Sequence, residues 1–211
     1  DHLGLKGIDT LEQLAEVKRV VVEVATACAV LNADDPLVLR MSAHTDAEHI
    51  CYVTMNPQHT LVREHIRAGG RACALEAGVN GQMITLYDRG GHMPLVWTHL
   101  IPATVEGRAT HNVQNAMFAA SIAFSLGVKL DAIRQGLRTF DTTFYQAPGR
   151  MNFFDEHPFK VLFDYGHNAH AVSMLADLAG RLDVTGRRIV VLAGPGDRRD
   201  DDLRAIADAV A

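Results

Sequence analysis

Short apolar runs alternate with helical patterns along most of the chain, and this alternation restricts the fold more than any other feature of the sequence. The runs typical of strands are residues 29–31, 50–54, 71–75, 160–164 and 188–193. The segments with helical spacing are residues 9–19, 60–68, 112–126, 130–138, 169–182 and 200–211. Because strands separated by helices are typical of it, we predict an α/β fold with a mostly parallel sheet.

Two segments depart from the alternation, and a third suggests a domain boundary. The β-branched run at 20–24 is typical of a strand, although it directly follows the first helix. Two short apolar runs between 83 and 100 flank Asp-Arg-Gly-Gly, which predicts a β-hairpin at the sheet edge. Residues 139–150 have the composition of a linker. We therefore predict one domain over 1–146 and a second over 147–211, the second with little core of its own.

Composition excludes several classes of protein. The 211 residues are 48% hydrophobic, enough for a sizeable core, and 20 Lys and Arg against 25 Asp and Glu argue against a nucleic-acid partner. Cys28, Cys51 and Cys73 are too far apart for a C-x-x-C motif, so we predict buried thiols in a reducing compartment. No apolar run is long enough to span a membrane, and the first residues do not form a signal peptide. We expect a cytoplasmic location.

Segments 147–152 and 164–168 place a cation and a carboxylate close together in the sequence. Asp164 ends an apolar strand, and open α/β sheets bind ligands at the carboxyl ends of strands. Arg150 adds a permanent charge with forked donors, which suits a phosphate. The pair predicts a nucleotide site at a domain junction. The alternative is that Asp164 or Asn168 only caps the following helix.

Three further polar groups are candidate ligand contacts. Asp197 and Arg198 follow a Gly-Pro-Gly turn between a strand and a helix. This pattern is equally typical of a substrate-binding loop and of an ordinary solvated turn. Asn32 stands at a strand end, where its amide suits an adenine or ribose, although Asn-x-Asp-Asp-Pro is also a common turn. Asn112 and Asn115 share one helix face near its N-terminus; the alternative is that Asn112 caps that helix.

Metal and phosphate sites have little support from single motifs. A terminal His2 and an exposed helical Lys18 most often have no such role, and the other histidines lack metal-binding spacing. The sequence contains no G-x-x-x-x-G-K-[ST] loop, the usual backbone cradle for the phosphates of ATP. Because the chain also lacks an initiator Met, we take it to be a fragment that holds half of an active site.

Taken in order, these motifs resemble the Mur ligase superfamily over essentially the whole chain. They are Asp-His-Leu-Gly at 1–4, Asn-Ala-Asp-Asp at 32–35, His-Asn-x-x-Asn-Ala at 111–116, Ala-Pro-Gly-Arg-Met at 147–151, Asp-Tyr-Gly-His-Asn at 164–168 and Gly-x-Gly-Asp-Arg at 194–198. The resemblance implies that 1–146 is the remainder of a central ATPase-type domain and that 147–211 begins a truncated, Rossmann-like C-terminal domain. Members of this superfamily join an amino acid to a carboxylate through an acyl phosphate made with ATP.

The resemblance also implies roles for single residues at the nucleotide. Arg150 is expected to reach the terminal phosphate of ATP. The other residues expected to bind the nucleotide are Asn32 at the adenine, Asp164 at the ribose, and Asn112, Asn115 and His167.

Substrate and metal contacts are implied in the same way. Asp197, Arg198 and Asn168 are expected to contact the incoming amino acid. His2 matches a histidine that helps to hold magnesium. Lys18 lies near the position of a lysine that many members carry as a carbamate, where it ligates a second magnesium.

Three longer phrases, at 136–144, 146–152 and 192–199, resemble the branch of the superfamily that adds arginine to the aspartate side chains of a poly-aspartate backbone. The implied partners are ATP, arginine, aspartate and a polymer primer, with a homo-oligomer in the full-length enzyme. Since the phosphate loop and its acidic magnesium ligand would lie upstream, the isolated chain is expected to be inactive. Another Mur-type ligase, with a muramyl-peptide or folylpolyglutamate acceptor, and a non-catalytic nucleotide-binding remnant remain open as alternatives.

Overall fold

A computed structural model describes residues 3–211 and confirms the α/β class predicted from the sequence. The strands are β1 (Cys28–Asn32), β2 (His49–Thr54), β3 (Arg71–Gly78), β4 (Gly81–Asp88), β5 (Gly91–Trp97), β6 (Asn152–Phe154) and β7 (Val161–Phe163). The α-helices are α1 (Leu11–Glu23), α2 (Pro36–Arg40), α3 (Thr60–Arg67), α4 (Thr110–Ser125), α5 (Leu130–Thr139), α6 (Ala169–Arg181) and α7 (Asp200–Asp208). Short 3-10 helices lie at Met41–His44, Thr98–Leu100 and Pro102–Thr104.

The main sheet has five strands in the order β1-β2-β3-β4-β5. β1, β2 and β3 are parallel, whereas β3, β4 and β5 are antiparallel. Helices connect the parallel strands, and tight turns connect the antiparallel ones, as the two geometries require. The predicted hairpin at the sheet edge is thus present, and the sheet is mixed because β3 extends to Gly78 and forms a second hairpin with β4.

The predicted strand at 20–24 is wrong, because helix α1 continues to Glu23. Thr10 and Gln13 form a capping box that starts the helix, and the ion pair between Arg19 and Glu23 (2.6 Å) supports its last turn. Valines at 17, 20, 21 and 24 have the spacing of one helical face, and this continuity outweighs the strand preference of β-branched residues.

The main unit comprises the five-stranded sheet and helices α1 to α5, and the second unit comprises β6, β7, α6 and α7. Two apolar clusters stabilise the main unit. One joins α4 and α5 to the sheet and contains Val53, Leu86, Met117 and Ile133. The other contains the buried side chains Ala29, Leu31, Tyr52, Val62 and Ala72. Burial raises the pKa of the Cys51 thiol to about 12, so this cysteine is a protonated core residue, as the sequence predicted.

The second unit differs from its predicted strand pattern. Its two strands, β6 and β7, are antiparallel rather than parallel, and β6 was not predicted. The predicted strand at 188–193 is wrong: the segment is not a strand, and Ile189, Val190 and Val191 are exposed. An apolar run forms a strand only where a neighbour accepts its backbone hydrogen bonds, and none of the described strands pairs with it.

A third apolar cluster joins the two units. Ala109, Met151 and Leu178 are buried together where the start of α4 meets α6. At its rim, Arg108 pairs with Asp183 at 3.4 Å. The segment that contains the candidate site therefore packs directly against the main unit.

Within residues 3–211, no helix combines the length and the apolar character that a membrane-crossing helix needs.

A polar network on the antiparallel part of the sheet makes stability depend on pH. Glu76 accepts hydrogen bonds from Tyr87 and from Thr85 (2.7 Å) and contacts His92 Nε2 (3.0 Å). Burial acts to raise the pKa of Glu76, but these hydrogen bonds outweigh it and lower the pKa below 4.5. The stabilisation is therefore present above the unfolded-state pKa and is lost as the pH falls through the lower folded-state value.

We expect Glu76→Gln to lower the midpoint of thermal unfolding by about 2–8 °C at pH 7, since roughly 1–2 kcal/mol of charge-assisted hydrogen bonding is lost. The difference from wild type should shrink as the pH falls through the lowered folded-state pKa of Glu76, because wild type then loses the same carboxylate. Glu64→Gln, at an exposed position on α3, is the matched control. An equal shift for both variants at every pH would contradict the network's role.

Candidate functional site

The buried side chain of Asn152 holds the loop at 142–152, which carries Arg150. This side chain is 1% exposed, and its Nδ2 donates to the backbone oxygens of Thr142 (2.7 Å) and Ala147 (2.9 Å). Its Oδ1 accepts from the Gly149 amide at 2.7 Å. One buried amide thus ties together three points of the loop, because Asn offers both donors and an acceptor.

Arg150 and Asp164 lie side by side, as the sequence predicted, but they are linked through the backbone. Asp164 Oδ2 accepts from the Met151 amide at 2.9 Å, and the Tyr165 amide donates to the Gly149 oxygen at 2.8 Å. The exposed Arg150 guanidinium lies over the Tyr165 ring, 5.6 Å from its centroid. This is a cation–π contact, and an exposed guanidinium keeps donors that suit an anionic ligand.

The start of α4 meets the same loop through Met151. His111 Nε2 lies 2.9 Å from Met151 Sδ, and Asn112 Nδ2 lies 3.2 Å from it. Asn112 also donates to the Ala103 oxygen (2.7 Å) and accepts from Asn115 (3.1 Å). The structure therefore brings both asparagines of α4 to the junction that holds the Arg150 loop, and Ala109 rather than Asn112 occupies the N-cap position.

His111 is neutral at this junction. Burial lowers its pKa, and this effect outweighs the opposite influence of Asp164. Since a thioether sulfur only accepts hydrogen bonds, His111 Nε2 carries the proton, and its buried Nδ1 is an acceptor without a hydrogen-bond partner.

Asn32 lies at the same edge of the sheet as the start of α4. Ser125 Oγ, at the end of α4, contacts Cys28 Sγ at the start of β1 (3.3 Å), so the helix runs against the strand and its first turn reaches the carboxyl edge. Asn32 Oδ1 accepts from the Asp34 amide at 3.1 Å. Within the described residues, no hydrogen bond or ion pair joins Asn32 to Arg150.

The predicted substrate loop lies near the first described residues. Arg198 pairs with Asp197 at 2.8 Å and is 9% exposed on its side chain, whereas Asp197 is open to solvent. A side chain at Gly4 would come within 2.9 Å of Arg199 Cδ, so this loop packs against the segment that follows His2. His2 itself lies outside the described residues.

The remaining predicted residues have local roles. Asn168 caps α6 by accepting a hydrogen bond from the Ala171 amide at 2.8 Å. This is the helix-capping role that the sequence offered as the alternative to ligand binding. His167 Nδ1 contacts the Tyr165 oxygen at 3.1 Å. Lys18 is exposed on α1. Among residues 3–211, no group of three acidic, His or Cys side chains is placed to hold a metal ion.

Three side chains of the junction were missing from the predicted site. Tyr165 supports Arg150, while Met151 and His111 connect the loop to α4. All three stand directly beside predicted residues within the same motifs. The positions were therefore visible in the sequence, but the contacts between motifs were not.

The junction carries hydrogen-bonding and charged groups of three kinds. They are the exposed guanidinium of Arg150, the half-buried carboxylate of Asp164, and the amides of Asn112 and Asn115 at the start of α4. Chemically, a guanidinium suits a phosphate, a carboxylate suits a ribose hydroxyl, and an amide suits a base.

Comparison with known proteins first defines the class. Residues 149–211 match the family model described as "Mur ligase, glutamate ligase domain". This segment contains Arg150, Asp164 and the loop at 194–199. The resemblance to Mur ligases inferred from the motifs is therefore confirmed, and it includes this match of residues 149–211 to the domain model.

The particular relatives are cyanophycin synthetases. The chain is 40% identical to that of Synechocystis sp. over 213 residues, which is all of this chain and 24% of the relative. It is 40% identical to that of Trichormus variabilis over 222 residues, again all of this chain and 23% of the relative. A UDP-N-acetylmuramate–L-alanine ligase of Burkholderia ambifaria is 30% identical over 203 residues, 92% of this chain and 39% of the relative. The chain thus spans about a quarter of the cyanophycin synthetases it matches.

Proposed function

We propose that the chain is part of an ATP-dependent amide-bond-forming ligase of the cyanophycin synthetase type. The observation that carries the proposal is the junction itself, where Arg150 and Asp164 are held next to the start of α4. The similarity to cyanophycin synthetases over the whole chain supports the same reading. All relatives named above are synthetases or ligases by name.

Roles at the nucleotide follow from the chemistry of each side chain. Arg150 binds the terminal phosphate, because its exposed guanidinium offers forked donors and a permanent charge. Asp164 accepts from the ribose, since one oxygen holds the Met151 amide and the carboxylate retains acceptor capacity. Asn32 contacts the adenine, Asn112 and Asn115 contribute to the nucleotide site at the start of α4, and His167 contributes from the same motif as Asp164.

When bound, ATP supplies the phosphoryl group that turns a carboxylate into an acyl phosphate, which an amine then attacks with release of phosphate. The substrates of our proposal are arginine and the aspartate side chains of a cyanophycin primer. Asp197, Arg198 and Asn168 bind the incoming amino acid. Magnesium, with His2 and a carbamylated Lys18 as ligands, remains part of the proposal, as do a homo-oligomer, a cytoplasmic location and a domain boundary near residue 147.

The test is arginine-dependent ATP consumption by the complete reading frame that contains this chain. Arginine with an aspartate-backbone primer is compared with either one alone, in the presence of magnesium. Turnover that needs both supports the proposal. Turnover only with another amino acid or acceptor removes the arginine assignment and keeps the ligase chemistry.

The second candidate is a muramyl-peptide ligase, favoured by the 30% identity to UDP-N-acetylmuramate–L-alanine ligase. The higher identity to cyanophycin synthetases ranks it second. Folylpolyglutamate synthesis is tested with the same assay and its own acceptor. Absence of turnover with every acceptor would favour the non-catalytic remnant, which would still bind nucleotide.

A further inference from the structure

Met151 contacts both the main unit and the second unit. Its side chain is 2% exposed and packs between Ala109 and Leu178. Its sulfur faces two donors of α4, and its backbone amide faces the carboxylate of Asp164. Met151 thus contacts the main unit through its side chain and the second unit through its backbone amide.

The backbone at Met151 is in an unfavourable conformation. Its φ is +50°, in the left-handed region that non-glycine residues adopt at a cost of about 1–3 kcal/mol. Such a conformation persists where surrounding contacts fix it. It aims the amide of Met151 at Asp164 while the preceding residue, Arg150, points its guanidinium over Tyr165.

We propose that Met151, held by His111, is a positioning residue that fixes the places of Arg150 and Asp164 relative to the start of α4. The proposal rests on the proposed function and adds residues for which that function assigns no role. His111 acts through the sulfur rather than on a ligand, because its Nε2–H is directed at Met151 Sδ (2.9 Å) and its Nδ1 is buried. Asn112 contributes the second donor to the same sulfur.

A purely apolar role for Met151 would not require the sulfur. Leucine has a similar volume and fills the same cluster, but it accepts no hydrogen bond. Loss of the acceptor leaves the Nε2–H of His111 without its partner, whereas Asn112 keeps its bond to the Ala103 oxygen. Met151→Leu therefore separates the positioning role from simple packing.

Met117 offers a matched control. It lies on α4, is 0% exposed in the core of the main unit, and its sulfur takes part in no hydrogen bond among the described residues. Met117→Leu thus changes a buried methionine in the same way without touching the junction.

The first measurement is the steady-state kinetics of the complete protein with ATP as the varied substrate. We expect Met151→Leu to raise the KM for ATP by about three- to tenfold with kcat changed by less than about twofold, because alignment of the nucleotide contacts is loosened. Met117→Leu should leave both constants near wild type. An unchanged KM in Met151→Leu would overturn the proposal.

The second measurement does not depend on turnover. Diethyl pyrocarbonate acylates accessible, neutral imidazoles, and peptide mass spectrometry gives the rate at His111. We expect slow modification in wild type and Met117→Leu, and modification at least about fivefold faster in Met151→Leu, because ring release exposes both nitrogens. Equal modification rates in all three proteins would show that Met151 does not hold the His111 ring. This outcome is decisive even if no ATP is consumed and the proposed function fails.

Discussion

Replacing Arg150 by alanine in the complete protein is expected to lower arginine-dependent ATP turnover by about a hundred- to a thousandfold, the usual effect of removing a preorganised donor to developing charge. Arg150 is exposed and contributes no buried contact, so the fold should persist. Its guanidinium lies over Tyr165, 5.6 Å from the ring centroid, and this cation–π contact favours the orientation seen in the structure. The measurement is initial-rate phosphate release with saturating arginine and primer.

Two further variants separate charge from geometry. Arg150→Lys keeps the charge but loses the forked donors and most of the stacking, so we expect an intermediate loss of about tenfold or more. Arg138→Ala removes an exposed arginine of α5, outside the junction, and should retain wild-type turnover. If Arg150→Ala matched Arg138→Ala, the proposed phosphate contact would be wrong.

The order of strands and helices could be predicted from the sequence because it follows local rules. Period-two and period-3.6 patterns identified β2, α3 and the hairpin of β4 and β5. The placement of Asp164 beside Arg150 was also predictable, since both belong to motifs joined by one short connection. The confirmed resemblance to Mur ligases rested on the same motifs, taken in order.

What failed depends on contacts between distant segments. The valines at 20–24 are helical because they continue the turn begun at Thr10, which outweighs their strand preference. The run at 188–193 has strand composition but no hydrogen-bonded neighbour among the described strands. The contact between His111 and Met151 joins residues 40 positions apart, and no local sequence pattern predicts such a contact. The roles of Lys18 and Asn32 remain predictions.

Asn152→Ala is expected to release the loop that carries Arg150, with a local cost of about 2–4 kcal/mol, because several backbone groups of the loop lose their buried partner at once. Hydrogen exchange followed by mass spectrometry on the complete protein should show peptides covering 142–152 exchanging roughly 30- to 1000-fold faster. Turnover should fall in parallel, since Arg150 would no longer be held over Tyr165.

Asn152→Asp tests which half of the amide matters. Aspartate keeps an oxygen for the Gly149 amide but offers no donor to the oxygens of Thr142 and Ala147, and its charge would face both carbonyls in a site that is 1% exposed. We therefore expect exchange at least as fast as in Asn152→Ala. Asn56→Ala, at an exposed turn where Oδ1 accepts only from the Gln58 amide, should leave exchange at 142–152 unchanged. Protection of the loop in Asn152→Asp equal to wild type would show that the acceptor alone holds it, and the two donor contacts would then carry none of the stabilisation assigned to them.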